Sequence, residues 1–292
     1  MKNEFTKTVE LLLTKDRRLV LFLGDIGVYG FRNSLRKYPT RVFNIGILEQ
    51  SMIGVAAGFS LSGYIPVIHT IAPFLVERAL EQIKDDFGYQ NLSGNLVTVG
   101  ASYDYSALGC THHCPGDVGI MSNVPNSQIV VPGNARDLNI IFRQIYTKGL
   151  NYFRLSEKSN TEDVKVSFGK ANIIKKGKLA TIISVGPTLS DVIEATRDLD
   201  VTILYYTTIQ PFDIKTLSEN LKNNKIVTIE PYYEGVIASK IIERMGYLGF
   251  SIKTIGVPHE FMRHYGKVSQ LDEYCGLDIK SIHQEIERFL GK

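Results

Sequence analysis

The sequence predicts an α/β protein of two domains, each a mostly parallel sheet flanked by helices. Apolar runs of strand length alternate with amphipathic stretches of helix length, which is typical of parallel sheets. A polar segment between Ser156 and Lys170 interrupts this alternation. Its composition indicates an exposed linker, so we expect one domain over residues 1–158 and another over residues 168–292.

The elements of the first domain follow from the spacing of its apolar residues. The predicted strands are Arg41–Asn44, which is short, and Leu19–Leu23, Ile65–His69, Leu96–Gly100 and Gln128–Val131. The predicted helices are Glu4–Lys15, Leu48–Leu61, Pro73–Asp86 and Asn134–Tyr146. Asn134 is a plausible N-cap of the last helix, because an Asn side chain can accept a hydrogen bond from the first turn.

The second domain repeats the alternation. Its predicted strands are Leu179–Val185, Val201–Tyr205, Ile226–Ile229 and Ser251–Gly256. Its predicted helices are Leu189–Arg197, Ile214–Leu221, Gly235–Met245 and Ser281–Leu290. No short internal repeat or low-complexity tract is visible, which argues against a solenoid or a disordered chain.

Composition excludes several classes of protein. The 292 residues are 44% hydrophobic, which is typical of globular proteins. A formal charge of +3 is too small to indicate binding to nucleic acid or to an anionic membrane. The first residues lack an apolar signal core, and no apolar stretch approaches the roughly 18 residues that span a bilayer. Together with three cysteines, which fit a reducing compartment, this predicts a cytoplasmic protein.

One carboxylate, Glu49, stands near the start of a predicted helix of small and apolar residues. Gly46 provides the turn between the preceding short strand and this helix. A buried charge is costly without a partner, so a chemical role is favoured for this residue. The alternative is a capping-type Glu in the first helical turn, where the helix dipole favours a negative charge.

The same segment is similar to a known family. Gly46-Ile-Leu-Glu-Gln50, Gly54-Val-Ala-Ala-Gly58 and Gly63-Tyr-Ile-Pro-Val67 resemble the pyrimidine-binding domain of transketolases and 1-deoxyxylulose-5-phosphate synthases. Phrases of the second half, Gly186-Pro-Thr-Leu189, Ile209-Gln-Pro-Phe-Asp213 and Val227-Thr-Ile-Glu230, resemble the transketolase C-terminal domain. The resemblance implies the cofactor thiamine diphosphate. It also implies that Glu49 bonds to N1′ of the aminopyrimidine, so that the 4′-amino group becomes the base that deprotonates C2.

The resemblance implies further site residues. Phe74 matches the aromatic residue that stacks on the aminopyrimidine, although a core Phe at a helix start is the alternative. Gly109-Cys-Thr-His-His-Cys-Pro115 resembles the family motif Gly-Pro-Thr-His-Gln. The resemblance implies that His112 lies at the substrate end of the cofactor and that His113 takes the place of the Gln. An imidazole there can bind a substrate hydroxyl and carry a proton. Zinc is disfavoured, because adjacent histidines in an extended segment point apart and the two cysteines lack a second ligand pair.

Three more candidates lie in the first domain, two of them where predicted strands end. Asp25 occupies the position of the family's Ala-Asp motif and could face the cationic thiazolium, or it could simply form a turn. His69 is a weaker substrate-binding candidate at the same rim, with a structural role as the alternative. The family places a phosphate-binding Arg after Leu-Ser, but Glu157 stands there, so Arg154 is the alternative source of positive charge. Leu108 replaces the family's hydroxyl-binding Asp, which indicates a rebuilt acceptor pocket.

The diphosphate-binding motif of the family, Gly-Asp-Gly followed by Asn, does not occur in the sequence. The resemblance therefore implies the C-terminal subunit of a two-subunit transketolase-like enzyme, which transfers a two-carbon ketol unit between sugars. An N-terminal subunit with the diphosphate-binding domain would hold Mg²⁺ or a similar ion, in a self-associating dimer or an α2β2 heterotetramer. The alternatives are the β subunit of a 2-oxo acid dehydrogenase E1 component and a non-catalytic regulatory or binding subunit of the same fold.

Overall fold

The computed structural model describes residues 1–292, whose strands form two sheets. The strands are β1 (Leu19–Leu23), β2 (Val42–Asn44), β3 (Ile65–Ile71), β4 (Gly94–Val99), β5 (Ser127–Val130), β6 (Leu150–Arg154), β7 (Asn172–Lys175), β8 (Thr181–Val185), β9 (Thr202–Tyr206), β10 (Thr208–Gln210), β11 (Lys225–Tyr233) and β12 (Ser251–Val257). The helices are α1 (Lys2–Lys15), α2 (Arg32–Lys37), α3 (Glu49–Leu61), α4 (Leu80–Gln82), α5 (Asp117–Ser122), α6 (Ala135–Ile145), α7 (Leu189–Ala195), α8 (Ile214–Glu219), α9 (Val236–Met245), α10 (Val268–Tyr274) and α11 (Ile279–Leu290).

Both sheets are mostly parallel, which confirms the predicted fold class. The first sheet has the order β10–β5–β6–β4–β3–β1–β2, and every pair except β10–β5 is parallel. The second sheet has the order β12–β11–β8–β9–β7, with only β7 antiparallel. Strand β10 comes from the second half of the chain yet extends the first sheet. The two halves therefore share a seam of backbone hydrogen bonds.

Helices cover both faces of the first sheet, which explains why β1 is apolar at every position. Successive side chains of a strand point to opposite faces, so Leu21 and Phe22 enter different cores. On one side, Phe5 of α1 packs against Phe142 of α6 at 6.2 Å between ring centroids. On the other side, the buried face of α3, including Met52, packs with Phe22. This packing fixes the carboxyl ends of the strands at one edge.

The sequence predicted the long elements well and several short ones not at all. Asn134 is confirmed as an N-cap, because its side chain accepts from the Asp137 N–H at 3.0 Å. The helix predicted over Pro73–Asp86 is irregular instead: π-helical turns over Pro73–Glu77 and Ile83–Tyr89 flank α4. The sequence did not predict α2, α5, α10, β6, β7 or β10, which have three to seven residues each and lack a distinct periodic pattern.

None of the helices combines the length and the hydropathy that crossing a membrane requires.

Candidate active site

The loops that follow β1 and β2 meet at the carboxyl edge of the first sheet. Asp25, exposed and in the left-handed backbone region at φ 61°, receives a hydrogen bond from Asn44 Nδ2 at 2.9 Å. Its own N–H donates to Asn44 Oδ1 at 3.0 Å, and the Gly46 N–H donates to the same oxygen at 3.3 Å. The Asn44 amide therefore holds together the Asp25 loop and the turn that leads into α3.

Glu49 is the first residue of α3 and is 1% exposed. Its Oε2 accepts a hydrogen bond from Arg78 Nη1 at 2.7 Å, and its Oε1 is buried without a hydrogen-bond partner. The carboxylate thus bonds to a cation that is distant in the sequence, and it does not cap the helix. An unpartnered buried oxygen is costly, and it provides an acceptor for a ligand that brings a polar hydrogen.

Arg78 joins Glu49 to the two other main candidates. Its guanidinium carbon lies 4.4 Å from the centroid of the half-buried Phe74 ring, a cation–π contact. The Phe74 ring packs edge-on against His112 at 5.3 Å, and Tyr105 contacts His112 at 6.2 Å. The structure therefore brings together three residues that the sequence singled out, Glu49, Phe74 and His112.

We call Glu49, Phe74, Arg78, Tyr105 and His112 the edge cluster. Sequence reasoning missed Arg78 and Tyr105. The spacing of Arg78 was a usable signal, because a residue four positions after Phe74 lies near it on a helix. Tyr105 gave no such signal, since it lies in a loop without periodicity.

The two adjacent histidines have different surroundings. The carbonyl oxygen of Gly109 accepts from the backbone N–H of both His112 at 2.9 Å and His113 at 3.1 Å, which makes a tight turn. The His112 ring is half-buried, and its Nδ1 lies 3.0 Å from the hydroxyl of Thr111. The His113 ring is buried, neither of its nitrogens has a hydrogen-bond partner, and burial lowers its pKa. His112 is therefore the histidine that is available to a ligand.

The cysteines beside these histidines do not form a metal centre. Cys110 is exposed, whereas Cys114 is buried and donates to Glu77 Oε1 at 3.5 Å. Burial raises the pKa of the Cys114 thiol, which keeps it protonated. The structure contains no group of three or more His, Cys, Asp or Glu side chains arranged to hold a metal ion.

Arg154 is not placed as the sequence suggested. The residue is 1% exposed, and its Nε lies 2.8 and 3.0 Å from the two carboxylate oxygens of Asp117. Its Nη2 donates to Ser102 Oγ at 2.6 Å and to the carbonyl oxygen of Pro231 at 3.0 Å. The guanidinium is buried in an ion pair and reaches the second domain, so the structure gives Arg154 a structural role, and its role toward a substrate stays a prediction.

His69 also differs from its prediction. Strand β3 continues to Ile71, so His69 does not end the strand. Its ring is buried, contacts Phe5 at 4.7 Å between centroids, and has Nδ1 2.8 Å from the carbonyl oxygen of Val97. Burial lowers the pKa of His69 to about 4, so the ring is neutral near pH 7. His69 is a core residue in this structure, and its substrate-binding role stays a prediction.

Comparisons with known proteins agree with this architecture. The family model described as transketolase, pyrimidine binding domain matches residues 1–162, and that of the transketolase C-terminal domain matches residues 169–282. A solved structure described as a split gene transketolase, inactive beta4 tetramer, superimposes with a TM-score of 0.85 at 24% identity. The match covers 99% of this chain and 97% of that one, and it shows a shared fold.

Curated relatives match over similar lengths. An uncharacterized 33.6 kDa protein in the fasciation locus of Rhodococcoides fascians is 38% identical, covering 100% of this chain and 95% of that protein. An apulose-4-phosphate transketolase subunit of Actinobacillus succinogenes is 29% identical, covering 85% of this chain and 84% of that protein. The chain therefore belongs to the transketolase family, in which it matches the pyrimidine-binding and C-terminal domains.

Proposed function

We propose that this chain is the C-terminal subunit of a two-subunit, thiamine-diphosphate-dependent enzyme that transfers a two-carbon ketol unit between sugars. The observation that carries the proposal is the edge cluster, in which Glu49, Phe74 and His112 gather at the carboxyl edge of a parallel sheet. Ligands bind at this edge in open α/β sheets. Relatives that are named as subunits of apulose-4-phosphate transketolase support the assignment to a split enzyme.

The residues present fit the pyrimidine end of thiamine diphosphate. The buried Oε1 of Glu49 lacks a hydrogen-bond partner, so it can share a proton with N1′ of the aminopyrimidine. The half-buried ring of Phe74 offers an aromatic surface to a flat heterocycle. When bound, the cofactor supplies the nucleophilic carbon that takes up the two-carbon unit. Arg78 orients the Glu49 carboxylate through Oε2, which leaves Oε1 free for the ring.

His112 and Asp25 have separate roles in this proposal. His112 is half-buried and packs against Phe74, so its imidazole can bind a substrate hydroxyl and move a proton at that oxygen. Asp25 is held by Asn44 at the end of β1, where its carboxylate can face the positive thiazolium.

His113 is assigned no direct contact with substrate, because it is buried. Since Glu157 is exposed and Arg154 is buried, we propose that neither position binds a phosphate group.

A partner subunit completes the proposed site. The chain has no motif for the diphosphate or its metal ion, so an N-terminal transketolase subunit would hold both. One face of α3 is exposed in this chain although it consists of small and apolar residues: Gly54, Val55, Gly58 and Leu61. Such a face favours contact with another protein surface. It supports assembly with the partner and with a second copy of the chain, as in an α2β2 heterotetramer.

The test is reconstitution with the N-terminal subunit encoded by the same organism. Ketol transfer from a ketose donor to phosphorylated and unphosphorylated aldose acceptors is measured for wild type, Glu49→Gln and Glu81→Gln. We expect Glu49→Gln to reduce kcat at least 100-fold, because an amide cannot exchange a proton with N1′. Glu81→Gln is the control, since this Glu is exposed and outside the edge cluster.

Two outcomes contradict the proposal. Full activity of Glu49→Gln excludes the catalytic role of this carboxylate. Decarboxylation of a 2-oxo acid without ketol transfer assigns the chain to the dehydrogenase class. A separate measurement tests the split site: we expect the isolated chain to bind thiamine diphosphate weakly, and tight metal-dependent binding to this chain alone excludes sharing with a partner.

A further inference from the structure

The second domain reaches the loop that carries His112. We call residues 100–116, between β4 and α5, the histidine loop. Three of its side chains donate to the second domain and one of its carbonyl groups accepts from it: Ser102 Oγ to Pro231 O at 2.6 Å, Tyr103 Oη to Asp272 Oδ1 at 2.7 Å, Ser106 Oγ to Gly266 O at 2.6 Å, and Tyr233 N–H to Pro115 O at 2.9 Å. These contacts lie at residues 102–106 and at Pro115, so the second domain holds the loop near both of its ends.

Tyr265 of the second domain also packs against Gly109 of the loop. A Cβ atom added to Gly109 would lie 2.5 Å from Cε1 and 2.8 Å from the hydroxyl oxygen of Tyr265. Gly109 also has a φ of +72°, a backbone conformation that side chains rarely adopt. The Tyr265 ring therefore packs directly on the Gly109 backbone, and a side chain at position 109 would require the ring to move.

Gly109 in turn sets the position of His112. Its carbonyl oxygen accepts the N–H of His112 at 2.9 Å, so a shift of Gly109 displaces the backbone that carries the imidazole. Tyr265 remains 70% exposed, which means that its ring contributes little to the hydrophobic core. Its packing on Gly109 is thus better explained by the placement of the loop than by stability.

We infer that Tyr265 of the second domain is a positioning residue for His112, acting through Gly109. The catalytic consequence rests on the proposed function, whereas the placement of His112 does not. In this assignment the second domain positions the substrate-binding part of the site through Tyr265, and the histidine loop of the first domain supplies the imidazole of His112.

The first experiment measures ketol transfer by the reconstituted enzyme with Tyr265→Ala, Tyr265→Phe and Tyr247→Ala. We expect Tyr265→Ala to raise KM for the acceptor or lower kcat by about 10-fold or more, since small misplacements of catalytic groups have large effects. Tyr265→Phe keeps the ring and should retain activity. Tyr247 is the matched control, because it is an 83% exposed tyrosine of the same domain. Equal losses in Tyr265→Ala and Tyr247→Ala would overturn the inference.

A double-mutant cycle tests the contact itself. Gly109→Ala places a methyl group into the Tyr265 ring, and Gly109→Ala with Tyr265→Ala removes that overlap. We expect the double variant to lose less activity than the product of the two single losses, because both changes act on one contact. Losses that multiply would show that the two residues act independently and would refute the route through Gly109.

A spectroscopic readout separates this inference from the proposed function. Histidine-labelled wild type, Tyr265→Ala and Tyr247→Ala chains are compared by NMR without partner or cofactor, and His112→Gln identifies the His112 ring signals. We expect these signals to shift in Tyr265→Ala and to stay in place in Tyr247→Ala. Shifted signals without ketol transfer in wild type would refute the proposed function alone. Unshifted His112 signals in Tyr265→Ala would refute the positioning role.

Discussion

Replacing Arg154 by methionine removes the cation that pairs with the buried carboxylate of Asp117. Both side chains are at most 1% exposed, and Nε lies 2.8 and 3.0 Å from the two Asp117 oxygens. Methionine fills a similar volume but leaves Asp117 as a buried charge without a counter-ion. The variant also loses two hydrogen bonds of Nη2, one to Ser102 within the first domain and one to the Pro231 carbonyl oxygen of the second domain.

The expected cost follows from that geometry. Removing one partner of a buried ion pair destabilises a protein by about 3–5 kcal/mol, which corresponds to roughly 6–20 °C in Tm for a domain of this size. Thermal unfolding followed by circular dichroism measures the shift for Arg154→Met. Arg36→Met is the control, because Arg36 is exposed on α2 and its loss should change stability by less than about 0.5 kcal/mol.

A second variant separates the ion pair from other effects of the substitution. Arg154→Met with Asp117→Asn also removes the orphaned charge, so we expect its Tm to lie above that of Arg154→Met. If Arg154→Met unfolds within about 1 °C of wild type and instead raises KM for a phosphorylated acceptor, the structural role is refuted. That result would restore the substrate-binding role that the sequence alone suggested.

Two further predictions concern His69 and Gly58. Because the pKa of folded His69 is about 4, below the unfolded value of about 6.5, its contribution to stability is complete above pH 6.5 and is lost as pH falls toward 4. Between pH 7.5 and pH 5 we expect the free energy of unfolding of wild type, measured by urea unfolding, to fall by about 2 kcal/mol more than that of His69→Gln. Parallel pH profiles of the two proteins would exclude a lowered pKa of His69. Gly58 has no atom within 4 Å of an added Cβ, so Gly58→Ala should stabilise the isolated chain by about 0.5–1 kcal/mol. The same methyl group should weaken assembly in analytical ultracentrifugation, and unchanged assembly would argue against the α3 face as an interface.

Local sequence patterns predicted the elements whose signals lie within their own residues. The all-apolar run of β1 indicated a buried strand, and Asn134 indicated a helix start, and both agree with the structure. The short strand β10 has no local signal in the sequence, since this strand is defined by its pairing with β5 from the other half of the chain. The irregular turn at Pro73–Glu77 was also missed, because the spacing of apolar residues does not determine whether helical backbone hydrogen bonds span four or five residues.

The sequence by itself determined the fold class, the family resemblance and the conspicuous carboxylate of Glu49. These depend on periodicity, motif and the cost of a charge among apolar residues, which a linear pattern contains. Only the tertiary structure decided which side chains meet. It paired Glu49 with Arg78 and buried Arg154 against Asp117, because the partners of charged groups are chosen by three-dimensional proximity and by the need to neutralise buried charge.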